Sequence, residues 1–479
     1  MNTSIPQPPK IIQGGMGAGV SWWYLAQAVA KLGQLGVVSG TALDLILARC
    51  LQDGDPGGHI RRALDYFPFP DMAKRVWEKY YIPGGKAPDQ PYKSIPMHSK
   101  NPSRELVELC IVANFAEVFL AREGHDGPVG INYLEKVQLP HLPSIYGAML
   151  ASVAYILIGA GIPLKIPGIL DHFVNHEAAA YQLQVSGSQP GSETALRFDP
   201  REFMERDLPP LKRPYFLPII ASNTLAVLML QKSNGRIDGF VVEGPTAGGH
   251  NAPPRGKMQL NEAGEPIYGE RDIVDFVKIR ELGLPFWVAG GCASPQKLRE
   301  VLDMGGAGIQ VGTAFAFCEE SGLANAYKKM LLRKSTEGAA RVFTDPLASP
   351  TGFPFKVAHL ENSLSEREAY LARTRICDLG YLREAYQKED GTIGYRCSSE
   401  PVDIYLSKGG KEERTVGRKC LCNALMANIG LAQVRKDGAI EKPLITCGDD
   451  LVETARFIPP GRSSYTATEV IRKLLEESA

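Results

Sequence analysis

From residue 9 onward, short apolar runs that end in or near glycine alternate with amphipathic segments, a rhythm that predicts strand–helix repetition and a parallel sheet. The runs at 9–13, 35–39, 129–132, 155–158, 216–221, 239–243, 286–289 and 308–311 read as strands. Helices are expected between them at 21–32, 103–122, 144–151, from 169, and at 224–231, 273–282 and 295–304, with Ser21 as N-cap of the first. Eight such units within about 300 residues predict a closed (β/α)8 TIM barrel, whose reactive face is built by the loops that follow the strands. An open doubly wound sheet is the alternative.

Two stretches interrupt the rhythm. Residues 53–103 are rich in Pro, Gly and aromatic side chains, with Pro68, Pro70, Pro83, Gly84, Gly85, Pro88 and Pro91, and read as an insertion over the barrel. A second insertion at 181–214 opens on an expected hairpin at 181–198. Past residue 330 the pattern turns helical and charged, with amphipathic stretches at 364–375 and 467–477. The expected division is a barrel over 1–325 and a mainly helical C-terminal region over 326–479 packed on it. The uncharged run 144–163 has the length of a membrane span. Breaks at Gly147 and at Gly159-Ala160-Gly161-Ile162-Pro163 make it read instead as a buried helix leading into a buried strand.

Charge narrows the partners. Lys and Arg number 53 and so do Asp and Glu, without any basic cluster, which argues against nucleic acid or an anionic membrane as partner. With 44% hydrophobic and 22% charged residues the chain has the composition of a globular protein with a sizeable core. Nine cysteines over this length do not form the dense framework of a secreted domain, and residues 1–10 show no basic stretch followed by an apolar run, so a cytoplasmic setting is expected. A helical C-terminal region also suits a homo-oligomer. The one compositional excess is glycine, at 49 residues, which directs attention to where backbone must turn tightly or approach a ligand.

Two glycine-bearing turns stand where such a barrel commonly binds phosphate, Gly290-Gly291 after the seventh strand and Gly312-Thr313 after the eighth. A dinucleotide fingerprint is rejected locally, because Gly15-x-Gly17 is followed by Val20 and Gly306-x-Gly308 by Val311 where a third glycine belongs. After the sixth strand comes Glu243-Gly244-Pro245-Thr246-Ala247-Gly248-Gly249-His250, where two glycines let an imidazole lie close over a ligand and carry protons near neutral pH. His172 and His176 share a helix face by spacing but lack a third metal ligand. Cys377, Cys397, Cys420 and Cys422 are candidates for four thiolate ligands; their Cys-x-Cys with two distant partners departs from common ligand spacings, so small packed residues are expected and no metal.

Together the segments Ile11-Ile12-Gln13-Gly14-Gly15-Met16, Gly130-Ile131-Asn132, Gly159-Ala160-Gly161, Glu243 to His250, Ala289-Gly290-Gly291 and Gln310-Val311-Gly312-Thr313 resemble the signature series of the FMN-dependent nitronate monooxygenase family, once called 2-nitropropane dioxygenases. The series is also similar to the flavin-containing enoyl-ACP reductases, and it spans roughly residues 9–320. The resemblance implies that Gly290, Gly291, Gly312 and Thr313 hold the FMN phosphate with Gln310 close by. It further implies that Gly14, Gly15 and Met16 lie against the flavin, that Asn132 hydrogen-bonds it, that Gly248 and Gly249 border it, and that His250 is base or proton relay. The chain departs from the family in having Asn251-Ala252-Pro253-Pro254 where a glycine usually follows the histidine by two residues, and in its 53–103 insertion and long C-terminal part.

The activity this implies is an FMN-dependent oxidoreductase whose small-molecule substrate is an alkyl nitronate, oxidised with O2 to a carbonyl compound and nitrite. An NAD(P)H-dependent enoyl-thioester reductase using the same flavin is the alternative, and a non-catalytic flavin-binding scaffold is a third.

Overall fold

The structure, a computed structural model, describes residues 5–188, 191 and 194–476. Four residues of the expected hairpin, at 189, 190, 192 and 193, lie outside this range, as do residues 1–4 of the N-terminal stretch and 477–479 at the other end. The barrel strands are β1 Ile11–Gln13, β2 Gly36–Ser39, β3 Val129–Leu134, β4 Tyr155–Gly159, β5 Tyr215–Ile220, β6 Phe240–Glu243, β7 Phe286–Ala289 and β8 Gly308–Val311. All neighbours are parallel, in the order β1-β8-β7-β6-β5-β4-β3-β2. The ring closes because Leu35, just before β2, bridges Ile12 and exchanges backbone hydrogen bonds with Ile11 and Gln13. The fold is a TIM barrel, and the open-sheet alternative fails at this closure.

The strands read as unbroken apolar runs because both of their faces are buried. Alternate residues serve different layers: Ile12, Val37, Leu157, Leu217, Val241 and Trp287 fill the barrel interior, while Ile11, Ile156, Phe216, Phe240 and Phe286 face the surrounding helices. The Trp287 indole is fully buried inside and donates to the Pro9 carbonyl at 2.7 Å, which satisfies the polar edge of the largest side chain there.

Hydroxyl caps start several helices where the sequence places them. Ser103 accepts from Leu106 N before Arg104–Arg122, Ser222 from Leu225 N before Asn223–Lys232, and Ser294 from Lys297 N before Pro295–Asp303. Ser21 does something else. The first helix starts at Trp23, and the Ser21 hydroxyl instead donates to Gly14 O at 2.9 Å and accepts from Met16 N at 2.9 Å. The run 144–163 resolves into helix His141–Leu150 and β4, and among the described residues no helix is long and apolar enough to cross a membrane.

Residues 53–103 carry helices His59–Asp65 and Pro70–Tyr80 followed by extended chain. Ala179–Leu183 and Thr194–Phe198 pair antiparallel as the hairpin. Beyond the barrel, helices including Asn325–Thr336, Leu421–Asn428 and Ala467–Leu475 are joined by two antiparallel strand pairs, Val342–Asp345 with Phe355–Ala358 and Glu384–Gln387 with Ile393–Arg396. The apolar face of the last helix, with Val470, Ile471 and Leu474, packs in one cluster with Leu25 and Val29 of the first helix. Buried polar contacts fix the insertion to the C-terminal region: Asp44 accepts from Tyr381 at 2.7 Å and pairs with His98 at 2.7 Å, and the Gln433 amide exchanges hydrogen bonds with the Tyr92 backbone at 2.8 and 3.0 Å.

Candidate active site

The C-terminal ends of the strands open on a cavity of about 180 Å³. The loop after β1 brings Gly14, Gly15 and Met16 to its wall, β3 brings Asn132, and the loop after β6 brings Gly248, Gly249 and His250. Gly290 and Gly291 after β7, Gln310 in β8, and Gly312 and Thr313 after it complete the set. Residues drawn from five separate parts of the sequence therefore share one space. His172 and His176 do not join as a metal pair: His172 faces Glu177 at 3.2 Å on the surface, while His176 is buried between the Tyr146 hydroxyl and the Pro209 carbonyl.

The β1 loop is held from inside. The Gln13 amide donates to Gly14 O at 2.6 Å and to Ser21 Oγ at 2.8 Å, and its Oε1 accepts from Val37 N at 3.0 Å. This clamp presses Gly15 against β3, where an added Cβ would stand 2.4 Å from Asn132 Cβ, so only glycine fits. At the opposite wall Gly290 has φ +94° and Gly291 φ +63°, conformations that strongly favour glycine.

His250 is fixed by its neighbours. Its Nε2 lies 2.7 Å from Ser349 Oγ, its ring meets Phe355 edge-on at 4.8 Å, and its backbone bridges Phe355 antiparallel. The next residue anchors the loop: Asn251 is 1% exposed, donates from its side chain to Ala247 O at 2.9 Å, and donates N–H to Pro354 O at 2.9 Å. The histidine loop is thus added to the edge of the Phe355–Ala358 strand. Burial pushes the His250 pKa down to about 4, so the imidazole is neutral at physiological pH.

Glu243 also lines the cavity, and burial pushes its carboxyl up to about 8. The sign of its linkage follows: the folded chain holds this proton while the unfolded chain, titrating near 4.5, releases it. Stability contributed by the neutral carboxyl is therefore complete below pH 4.5 and is lost as pH rises toward 8. We expect Glu243→Gln to flatten that decline, which thermal melts of both proteins across this pH window would measure.

No pattern in the sequence marks the strap that lies over the mouth. Residues 446–450 come from the far C-terminal region: Gly249 N donates to Thr446 Oγ1 at 3.0 Å, Gly448 N to Thr313 Oγ1 at 2.9 Å, and Asp449 N to Thr246 O at 3.1 Å. Asp449 is neutralised by Lys356 at 2.7 Å, and Asp450 joins the cavity wall beside Gly291. Ser349 and Phe355, which set His250, belong to the same C-terminal region.

Three observations bear on whether these residues suit a flavin mononucleotide. Gln310 lines this cavity, and its side-chain Oε1 is buried without a hydrogen-bond partner. A Cβ on Gly249 would meet nothing within 4 Å, so this loop leaves bare backbone toward open space, and one on Gly312 would meet only Met16, at 3.5 Å from Sδ. The paired glycines at positive φ are the kind of turn that presents backbone to a phosphate. The residue set fits the group.

Comparison with known proteins finds sequence similarity over part of the chain. The sequence profile of the nitronate monooxygenase family matches residues 212–347. The nitronate monooxygenase of Pseudomonas aeruginosa is 32% identical over 117 residues, 24% of this chain and 32% of that protein. A probable nitronate monooxygenase of Bacillus subtilis is 30% identical over 132 residues, 26% of this chain and 36% of that one. Residues 212–347 carry the nitronate monooxygenase pattern. The chain spans about a third of the length of these curated relatives. Among solved structures, FabK from Thermotoga maritima aligns over 98% of this chain and 93% of its own at 15% identity, with a TM-score of 0.47. The nitronate monooxygenase segment holds β5 to β8, and with them the His250 loop and both glycine turns; the β1 loop, Asn132 and the strap lie outside it.

Proposed function

We propose that the cavity binds FMN and that the protein is an FMN-dependent oxidoreductase of the nitronate monooxygenase kind, oxidising alkyl nitronates with O2 to carbonyl compounds and nitrite. The observation that carries this reading is the shared cavity: Gln310 with its unpartnered side-chain oxygen, the positive-φ glycines and the clamped His250 all line one space. FMN, when bound, supplies the electron transfer that side chains cannot. In this reading Gly290, Gly291, Gly312 and Thr313 hold its phosphate, Gly14, Gly15 and Met16 border its ring with Gly248 and Gly249, and Asn132 and Gln310 hydrogen-bond it.

His250 manages the proton. With Nε2 engaged by Ser349, Nδ1 is the nitrogen that takes a proton from the α-carbon of a neutral nitroalkane or, once protonated, steadies an anionic nitro group. A neutral imidazole can accept a proton, and an anionic substrate beside it favours the imidazolium. A cytoplasmic location accompanies the proposal.

The phosphate wall yields a further expectation. Burial raises the Asp450 pKa, and its Oδ1 lies 4.0 Å from the position a Gly291 Cβ would take. An ionised carboxylate there opposes a phosphate, whereas the protonated form can donate to it. FMN affinity should therefore fall as pH rises, and Asp450→Asn should bind FMN about three- to tenfold more tightly at pH 8 with a flatter profile, as read by quenching of flavin fluorescence.

One feature favours the enoyl-thioester reductase as second reading. A second cleft of about 580 Å³, lined by Glu135, Gln138, Lys165 and Tyr181, begins one residue after Leu134 of the cavity wall and has far more room than a small nitroalkane needs. Anaerobic mixing of the flavin-loaded protein separates the two. Reduction of the flavin absorbance by nitronate alone supports the monooxygenase, prompt reduction by NADH or NADPH supports the reductase, and neither supports a scaffold.

A further inference from the structure

Four cysteines outside the catalytic cavity converge in space. Cys377 lies in the irregular segment after helix Arg367–Ala372, Cys397 directly follows the strand Ile393–Arg396, and Cys420 and Cys422 stand at the start of helix Leu421–Asn428. The Cys377 and Cys397 thiols interact directly with each other, and every other pair among the four is close enough to interact electrostatically. All four are free, and Cys397 and Cys420 are 5% and 6% exposed.

Packing alone does not account for this. A buried free cysteine behaves as a small hydrophobe and wants apolar neighbours. Here polar donors are aimed at sulfur instead: Ser399 Oγ stands 3.2 Å from Cys397 Sγ, Asn423 Nδ2 donates to Cys420 Sγ at 3.5 Å, and the Arg373 guanidinium acts on Cys420. Asn423 is itself oriented by Asp378 at 2.7 Å, which also accepts from Arg435. Such outer partners are what a thiolate cluster around a cation requires, both to orient the ligands and to offset their negative charge.

We propose that Cys377, Cys397, Cys420 and Cys422 are the four thiolate ligands of a zinc ion that staples three segments of the C-terminal region together. Tetrahedral zinc with Zn–S bonds of about 2.3 Å places its sulfurs about 3.8 Å apart, and Cys377 and Cys397 already interact side chain to side chain. The described trio of ligand atoms mutually within 4.8 Å is a different one, Asp44, His98 and Cys110, which is occupied by its own hydrogen bonds. The four sulfurs must therefore draw together as the metal binds and the thiol protons pass to solvent. The consequence reaches the active site, because the helix they start carries Leu425 to the cavity wall.

The test uses the full chain purified without chelator. Elemental analysis should find one zinc per chain, whether or not flavin is bound. Titrating the unmodified protein with a mercurial should release that zinc to a chromophoric chelator, and Cys420→Ser with Cys422→Ser should cut the zinc content at least tenfold and lower Tm by several degrees. A metal-free protein, zinc that persists in the double variant, a Cys377–Cys397 disulfide in freshly reduced protein, or iron with acid-labile sulfide in place of zinc would each overturn the proposal.

Discussion

Replacing His250 by alanine should lower kcat about 10²–10⁴-fold while leaving flavin content unchanged, the share expected of a positioned proton carrier. The structure makes the two outcomes separable, because the imidazole is held by Ser349 and Phe355 of the C-terminal region. The glycines assigned to the phosphate lie on other loops. Flavin lost along with turnover would mean that the side chain supports the pocket. The pH dependence supplies an independent readout. Burial pushes the His250 pKa from 6.5 to about 4, so the unfolded chain takes up the proton first and the folded protein loses stability as pH falls from 6.5 toward 4. The alanine variant should lose less Tm across that window than the wild type.

The second large effect is expected at Gly290. An alanine there would have to hold φ near +94° while its Cβ met Thr246 Oγ1 at 2.9 Å and Ala247 N at 3.0 Å. The backbone strain alone is about 1–3 kcal/mol, and relieving it moves the turn assigned to the phosphate. We expect flavin affinity to fall at least tenfold, about 1.4 kcal/mol, measured by equilibrium titration with FMN. Gly312→Ala separates turn geometry from cavity contact: φ is −106° and the nearest heavy atom would be Met16 Sδ at 3.5 Å, so the fold should tolerate the methyl group. If Gly312→Ala keeps the melting temperature and still loses FMN, the bare backbone of this loop is a cofactor surface. Full flavin binding in both variants would refute the assignment of these loops to the phosphate.

The barrel was legible because its strands are buried on both faces, which forces runs such as Ile156-Leu157-Ile158 and Phe240-Val241-Val242 to be apolar at every position. Glycine turns after those strands were legible for a related reason: positive φ at Gly290 and Gly291, and the contact of Gly15 with Asn132, exclude almost every other residue. Ser21 was misread because a serine before an apolar run is equally suited to cap a helix or to brace a loop, and the same hydroxyl cannot reveal which amide it will accept from.

The amino-acid order by itself determined the barrel, the places where its backbone is bare and the loop that carries His250, since each of these rests on local constraints on burial or dihedral angle. Tertiary structure alone decided what fixes the imidazole and what covers the mouth. Ser349 meets His250 across 99 residues, Gly448 meets Thr313 across 135, and Thr446 meets Gly249 across 197. It likewise brought together four cysteines whose spacing argued against a shared ligand. Such contacts are made by surfaces that become neighbours only when the C-terminal region closes over the barrel, and no periodicity within a short window can encode them.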